Sequence, residues 1–238
     1  MNRHSAKAFL IAVLCTLLSP LTWGISVGQI DNFNGGGPTD TAGWIVGAAG
    51  APQPLAPPTI IANGGPNGAG DGFLQLTSTG AIGPGSRLTA LNLAQWSGDY
   101  TSAGVLGITM DINNFGPNPL HLRLLLGDLN AAFSAFDNFA ISTDAVVINP
   151  GSGWQRVSFG VANTSLTEIF GSTEAALAGV DVLRIFHNPN ATFSGPGNAI
   201  PAIEGLLGVD NISAVPLPPA LFMFSAGLLG LWRQRRTE

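Results

Sequence analysis

The chain has 238 residues, a formal net charge of −5 and only 10% charged residues. Between Ile25 and Val215, four arginines stand against thirteen carboxylates and there is no lysine, which gives this stretch a formal charge of −9 with histidine neutral. Such a surface repels phosphate backbones and argues against nucleic acid as a partner. The single cysteine, Cys15, precedes this stretch, so the stretch can form neither a disulfide framework nor a thiolate site.

Residues 1–24 have the pattern of a secretory signal peptide. Arg3 and Lys7 form a positive start, an apolar run covers 8–18, and Thr22-Trp23-Gly24 is a small-x-small cleavage site. The sequence therefore predicts export, with cleavage after Gly24.

Residues 25–214 predict one all-β domain. Gly, Pro and Asn recur at short intervals between β-branched and aromatic runs, which is typical of an antiparallel β-sandwich. The length suits one hydrophobic core better than two. One short connector helix is expected over 172–178, with Ser172 as N-cap and Gly179 ending it. Strands are expected at 29–33, 43–46, 59–62, 72–77, 86–91, 105–113, 120–126, 138–142, 145–148, 155–161, 180–187 and 207–214.

The best alternation lies in 120–126. Every even position there is leucine, whereas His121 and Arg123 occupy odd positions. Because successive side chains of a strand point to opposite faces, the leucines should face the core and the polar residues the other side.

Residues 215–238 fall into three zones: a proline-rich spacer, thirteen apolar or small residues from Ala220 to Trp232, and a basic end. At about 1.5 Å per residue, thirteen helical residues reach only about 20 Å, short of the roughly 30 Å hydrocarbon core. The arginines would stay on the cytoplasmic side. This C-terminal hydrophobic helix therefore predicts a transient membrane stop, with the body outside the cytoplasm.

This order of zones resembles the PEP-CTERM sorting signal of Gram-negative bacteria that produce exopolysaccharide. Leu217 stands where the eponymous motif has Glu, so the segment resembles a variant of that signal. The resemblance implies export by the Sec machinery, passage through the inner membrane, cleavage near the Pro motif by an exosortase, and release to the cell surface or extracellular matrix. The residues that carry it are Val215, Pro216, Leu217, Pro218, Arg233, Arg235 and Arg236.

Four short segments, 70–74, 96–100, 183–188 and 208–212, resemble the galactose-binding-like jelly rolls of carbohydrate-binding modules and laminin-type domains. The resemblance implies a carbohydrate ligand, here an exopolysaccharide. It also implies a structural Ca²⁺ between the first and last strands. The matching ligands would be Asp31 and Asp210, with carbonyl oxygens of the 63–70 loop.

Few residues of the body could carry catalysis. His121 and His187 are its only histidines, and it has no Cys, no Lys and no Gly-x-Ser-x-Gly or His-Glu-x-x-His motif. Paired carboxylates could still hydrolyse a glycosidic bond. The sequence therefore favours a protein that is not an enzyme and leaves a small glycan-active hydrolase as an alternative.

Sugar binding needs flat aromatic rings beside planar hydrogen-bonding groups. Trp96 with Asp99 and Tyr100, and Arg123 with His121, are the candidate ligand-binding residues. Trp96 and Trp154 each precede a strand, however, where a large aromatic ring more often fills the core. His121 and Arg123 also suit a solvated strand face.

The sequence thus leaves three functions open. The first is a non-catalytic carbohydrate-binding or matrix protein at the cell surface. The others are a hydrolase that uses two carboxylates and a purely structural surface protein.

Overall fold

The structure is a computed structural model that describes residues 24–46, 57–81, 85–129, 136–192 and 200–216. Two predicted segments lie outside the described residues: the signal peptide before Gly24, and the sorting signal from Leu217 onward, which includes Pro218, Arg233, Arg235 and Arg236. In the described part of the chain, no helix is long and apolar enough to span a membrane.

The described strands form two sheets, and every strand pairing is antiparallel. Sheet A has the order β10-β6-β13-β4-β3, and β1 adds to β13. Its strands are β1 (Ile30–Asp31), β3 (Thr59–Ile61), β4 (Phe73–Thr79), β6 (Gly107–Asn114), β10 (Gln155–Gly160) and β13 (Glu204–Val215).

Sheet B has the order β11-β8-β7-β12-β5-β2, and β9 pairs with β7. Its strands are β2 (Trp44–Ile45), β5 (Thr89–Asn92), β7 (Leu120–Leu129), β8 (Phe136–Ser142), β9 (Val146–Ile148), β11 (Leu166–Phe170) and β12 (Val182–His187). Helix α1 (Tyr100–Ala103), helix α2 (Thr173–Ala178) and a 3₁₀ turn at Asn163–Ser165 connect strands.

The chain is therefore an antiparallel β-sandwich, as predicted, and each of the twelve expected strands has a counterpart. The predicted helix is also present: the Ser172 side chain accepts a hydrogen bond from the N–H of Ala175, and Gly179 is the C-cap. The sequence did not predict β11 or α1. In β11 the polar Thr167 and Glu168 interrupt the apolar pattern, and this edge strand buries only Leu166.

The core lies between the two sheets. Leu120, Leu122, Leu124 and Leu126 of β7 are all fully buried in it, which confirms the predicted alternation. Burying each leucine contributes roughly 1.5–3 kcal/mol relative to leaving it exposed. Sheet A supplies the opposing residues Leu74, Ile108, Ile112, Leu207 and Val209.

The other face of sheet B is not the open polar face that the sequence predicted. A second cluster of buried hydrophobic side chains lies on that face. Arg123 of β7, which was expected to be solvated, is also buried. The prediction failed because alternation within β7 cannot show that residues from neighbouring strands cover its second face. The cluster consists of Leu91, Leu125, Phe139, Ile141, Val182, Phe186 and Ile200.

A buried carboxylate connects the two sheets. Asp31, in β1 of sheet A, pairs with Ile212 and turns its side chain into the core. Its Oδ2 accepts hydrogen bonds from the indole N–H of Trp44 at 2.8 Å and of Trp96 at 2.7 Å. The Gln95 amide also donates to it. Both tryptophans are fully buried, and Trp44 belongs to β2 of sheet B.

We expect Asp31→Ala to lower the free energy of unfolding by about 3 kcal/mol, because it leaves two buried indole N–H groups without an acceptor. Asp31→Asn keeps one acceptor oxygen, so its free energy of unfolding should lie between those of Asp31→Ala and the wild type. Chemical denaturation monitored by tryptophan fluorescence measures both effects. The exposed control Asp40→Ala should change stability by less than about 0.5 kcal/mol. An equally small effect of Asp31→Ala would contradict this role.

Candidate functional site

The aromatic residues predicted to bind ligand are structural. Trp96 and Tyr100 are both completely buried, so neither ring offers a face to a ligand. The Tyr100 hydroxyl donates to the carbonyl of Trp96, and burial raises the pKa of Tyr100. Asp99 is the N-cap of α1, where its hydrogen bonds with Ser102 lower its pKa. The predicted site at residues 96–100 is therefore corrected to a core plug and a helix cap.

Arg123 and His121 differ in their accessibility. Arg123 is 5% exposed, and its guanidinium donates to the carbonyl oxygens of Asn188, Ser142, Thr143 and Pro189 at 2.7–3.2 Å. These bonds make Arg123 a structural tie between chain segments, and its predicted contact with ligand is corrected. His121 is half-buried and lines an open groove at one end of the sandwich.

Asp31 and Asp210, predicted to share a calcium ion, lie on opposite faces of sheet A. Asp31 turns inward with its strand partner Ile212, whereas Asp210 pairs with Asp111 on the outer face. The indole N–H groups already occupy one oxygen of Asp31. Among the described residues, no group of three or more His, Cys, Asp or Glu is placed to hold a metal ion. The predicted pair therefore does not fit a shared calcium ion.

The outer face of sheet A carries a three-ring cluster, which we call the aromatic surface: Phe73, Phe115 and Trp154. The Trp154 ring meets Phe73 and Phe115 edge to face, with centroid distances of 5.2 and 5.9 Å. Phe73 and Phe115 are 5.7 Å apart. The Trp154 N–H donates to the carbonyl of Gly64, which fixes the indole orientation. Phe115 is 45% exposed and Trp154 partly exposed, so the aromatic surface reaches solvent.

A glycine in β13 lets these rings approach the sheet. A Cβ at Gly208 would lie 2.8 Å from ring carbons of both Phe115 and Trp154, closer than carbon atoms pack without a shift. Gly208 sits between Gln75 of β4 and Asn113 of β6, in the centre of the sheet. Glycine inside a strand often marks such a close approach.

Charged and amide groups lie beside the aromatic surface, two residues further along the strands on the same face of sheet A. Asp210 pairs with Asp111, which pairs with Arg156 across the next strand. The Arg156 guanidinium contacts the Asp111 carboxylate at 3.0 Å, and the Asn211 amide donates to Asp111 at 2.9 Å. Arg156 is 49% exposed and Asp111 16% exposed. Planar hydrogen-bonding groups thus adjoin exposed rings.

Asp210 itself is completely buried. Its two oxygens accept hydrogen bonds from the backbone and side-chain N–H groups of Asn211, which has a positive φ of 49° at a bulge in β13. Burial raises the pKa of Asp210 to about 7, and the nearby Asp71 and Asp111 carboxylates add to the rise. The Asp210 carboxyl therefore stabilises the fold best when it is protonated.

Sequence reasoning did not find the aromatic surface. Trp154 looked like Trp96, because each precedes a strand, yet only Trp96 fills the core. Phe115 follows β6, and Phe73 begins β4, so the three rings come together only through sheet pairing. Gly208 inside a predicted strand was the one local signal of a close approach at this place.

A groove lined by residues of both sheets opens at one end of the sandwich, and we call it the end groove. Its volume is about 600 Å³, and its lining includes Thr79, Asn118, His121, His187, Ile203 and Glu204. The two imidazole rings lie 5.9 Å apart in a T-shaped arrangement.

No protein-family model matches this chain, and no curated protein sequence matches it. Solved structures match its fold. The solution structure of CtCBM11 aligns with a TM-score of 0.50 and 15% identity over 81% of this chain and 97% of that chain. An exo-β-agarase aligns with a TM-score of 0.53 and 14% identity over 82% of this chain but 25% of that chain.

A family 11 carbohydrate-binding module from Clostridium thermocellum, in complex with a β-1,3-1,4-mixed-linked tetrasaccharide, aligns with a TM-score of 0.47 and 14% identity. That alignment covers 81% of this chain and 98% of the module. At such identities the likeness to the CtCBM11 and exo-β-agarase structures shows the fold alone.

The raised pKa of Asp210 predicts how stability changes with pH. A carboxyl that holds its proton more tightly when folded loses its stabilising contribution as pH rises from its unfolded value, about 4, towards its folded value. Asp210→Asn removes this titration. We therefore expect the melting temperature of the variant, relative to the wild type, to rise between pH 5 and pH 8. If thermal scans show that the difference in melting temperature between Asp210→Asn and the wild type does not change with pH, the raised pKa of Asp210 is contradicted.

Proposed function

We propose that this protein is a non-catalytic carbohydrate-binding module that works outside the cytoplasm. The observation that carries the proposal is the aromatic surface on sheet A, where Phe115 and Trp154 reach solvent beside Arg156 and Asp111. The β-sandwich fold shared with CtCBM11 supports it.

The two parts of the surface suit the two sides of a sugar. The C–H face of a sugar ring is apolar and packs on aromatic rings, and a partly exposed aromatic ring gains from being covered. Sugar hydroxyls both donate and accept hydrogen bonds. The exposed Arg156 guanidinium can donate to them, and the Asp111 carboxylate can accept from them.

Because Trp154 and Phe115 are already fixed by packing and by the bond to Gly64, little ordering is needed on binding. Preorganised rings lose less conformational entropy than free side chains, and more of the contact energy appears as affinity. A ligand lying along this surface would cross strands β13, β6 and β10, where Gly208, Asp111 and Arg156 lie. An extended oligosaccharide fits this shape better than a single small molecule.

The alternative, a hydrolase with paired carboxylates, is less consistent with the geometry. A glycosidase needs a protonated acid and a second carboxylate that both reach the scissile bond. Asp210 has the raised pKa of such an acid, but it is completely buried and both its oxygens are engaged by Asn211. Its neighbour Asp111 is engaged by Arg156 and Asn211.

Calorimetric titration of the full-length chain in mild detergent tests sugar binding. The probe is a panel of neutral oligosaccharides that includes a β-1,3-1,4-mixed-linked tetrasaccharide. We expect at least one member to bind without being hydrolysed. Trp154→Ala should weaken this binding by about tenfold or more, as expected for a buried aromatic contact at the centre of an interface.

Phe170→Ala is the matched control, because Phe170 is an exposed aromatic residue of sheet B that stacks on Phe139. Its substitution should leave affinity unchanged. Equal losses in the two variants would contradict the proposed surface. A folded chain that binds no member of the panel and no isolated exopolysaccharide would favour the purely structural alternative.

We further propose that residues 1–24 direct export and that residues 215–238 direct sorting by an exosortase-type enzyme. Strand β13 ends at Val215, whose carbonyl accepts from the N–H of Leu106, and Pro216 is exposed immediately after it. The Pro motif therefore overlaps the end of the last described strand, and its first proline is exposed to a processing enzyme.

Replacing Arg233, Arg235 and Arg236 together by Gln should reduce the amount of processed protein outside the cell, because the basic end no longer holds the tail at the cytoplasmic side. Immunoblots of cell fractions from the producing bacterium measure this, with Glu238→Gln as control. Unchanged processing of the triple variant would contradict the sorting proposal.

A further inference from the structure

The end groove is separate from the aromatic surface and has its own chemistry. Thr79 and Glu204 reach it from sheet A, and His121 and His187 reach it from sheet B. Its volume of about 600 Å³ falls within the range of about 300–1,000 Å³ typical of small-molecule sites. Apolar lining comes from Pro119, Pro189 and Ile203.

The hydrogen bonding of His187 fixes its tautomer. Its Nδ1 accepts a hydrogen bond from the backbone N–H of His121 at 3.0 Å. A neutral imidazole carries one proton, so the proton of His187 must reside on Nε2. Burial lowers the pKa of His187 to about 4, with a further contribution from His121, so the ring is neutral at pH 7.

The Nε2–H of His187 is available to a ligand. Within the described residues, no hydrogen bond engages this atom, and it is not among the enclosed side-chain atoms that lack a partner. His187 is 5% exposed and lines the groove. The groove therefore contains one N–H donor that the backbone holds in a fixed direction.

The same tautomer argues against a metal ion in the groove. A metal would need the lone pair of His187 Nε2, but that nitrogen carries the proton while Nδ1 serves the backbone. Glu204 is the one carboxylate in the lining, and the described residues contain no three-ligand group.

The remaining polar groups of the groove are mainly acceptors. Asn118 donates its amide N–H to the Glu204 carbonyl, which leaves its side-chain oxygen for a ligand. The Glu204 side chain is exposed, and His121 makes no side-chain hydrogen bond with the described residues. A fixed donor next to several acceptors matches hydroxyl groups, which can do both. The Glu204 carboxylate and the acidic body disfavour anions.

We propose that the end groove is a second binding site, for a neutral hydroxyl-rich ligand of one or two sugar rings, so that one module can hold two segments of polysaccharide. This inference extends the proposed function, because the ligand class is the same at both sites. The polar side chains of this site are His121, His187, Asn118 and Glu204, and none of them belongs to the aromatic surface.

Side-chain ¹⁵N NMR of the full-length chain in mild detergent tests the proposal. The probes are D-glucose, D-galactose, D-mannose and the mixed-linked tetrasaccharide. In the free protein, His187 should show the Nε2–H tautomer. At least one probe should shift the signals of both His121 and His187, and should do so equally in Trp154→Ala, which disrupts only the aromatic surface.

His121→Ala and Glu204→Ala should each weaken this second binding event by about fivefold, the cost of one hydrogen bond of about 1 kcal/mol. The control is Val147→Ala, because Val147 is exposed and lies opposite His121 on β9 without lining the groove. It should have no effect on probe binding.

Two results would overturn the second site while leaving the proposed function intact. In one, the probes shift the Trp154 indole signal and neither histidine. In the other, Zn²⁺ at equimolar concentration shifts both histidines and the sugars do not. Conversely, histidine shifts that persist while no probe affects Trp154 would support the end groove and contradict the aromatic surface.

Discussion

The fold depends on one buried carboxylate that joins the two sheets. Asp31 of sheet A accepts the indole N–H of Trp44 and of Trp96, and both rings are fully buried among the aliphatic side chains of the core. Burying a carboxylate costs folding free energy unless its oxygens accept hydrogen bonds. The two indole N–H donors therefore offset the cost of burying Asp31. With no cysteine downstream of Cys15, no disulfide can replace this connection. The same requirement makes Asp31 and Trp96 structural residues.

Ligand binding is therefore expected at side chains that core packing does not use. The outer face of sheet B is covered by its own apolar cluster, whereas the outer face of sheet A exposes Phe115 and Arg156. Gly208 brings the rings close to the sheet, and the bulge at Asn211 turns an amide towards Asp111. Both features belong to β13, so this strand contributes to the core on one side and to the proposed binding surface on the other.

The sequence predicted what depends on local pattern. Alternating leucines in β7 located the core, and Ser172 located the start of α2. The sequence could not distinguish Trp96 from Trp154, because their environments are set by residues at least 65 positions away. Trp96 contacts Asp31, whereas Trp154 contacts Phe73 and Gly64. Likewise Arg123 matched a polar strand face, but carbonyl oxygens from two other chain segments enclose it. Site prediction thus failed where contacts between distant residues decide exposure.

A crystal structure of the chain with the mixed-linked tetrasaccharide, or with a panel member that binds more tightly, would show whether sugar binds on the aromatic surface. We expect a sugar ring packed on Phe115 and Trp154, with hydroxyl groups within about 3.2 Å of the Arg156 guanidinium or the Asp111 carboxylate. A sugar bound on the sheet B face, with the Phe115 and Trp154 rings uncovered, would contradict it.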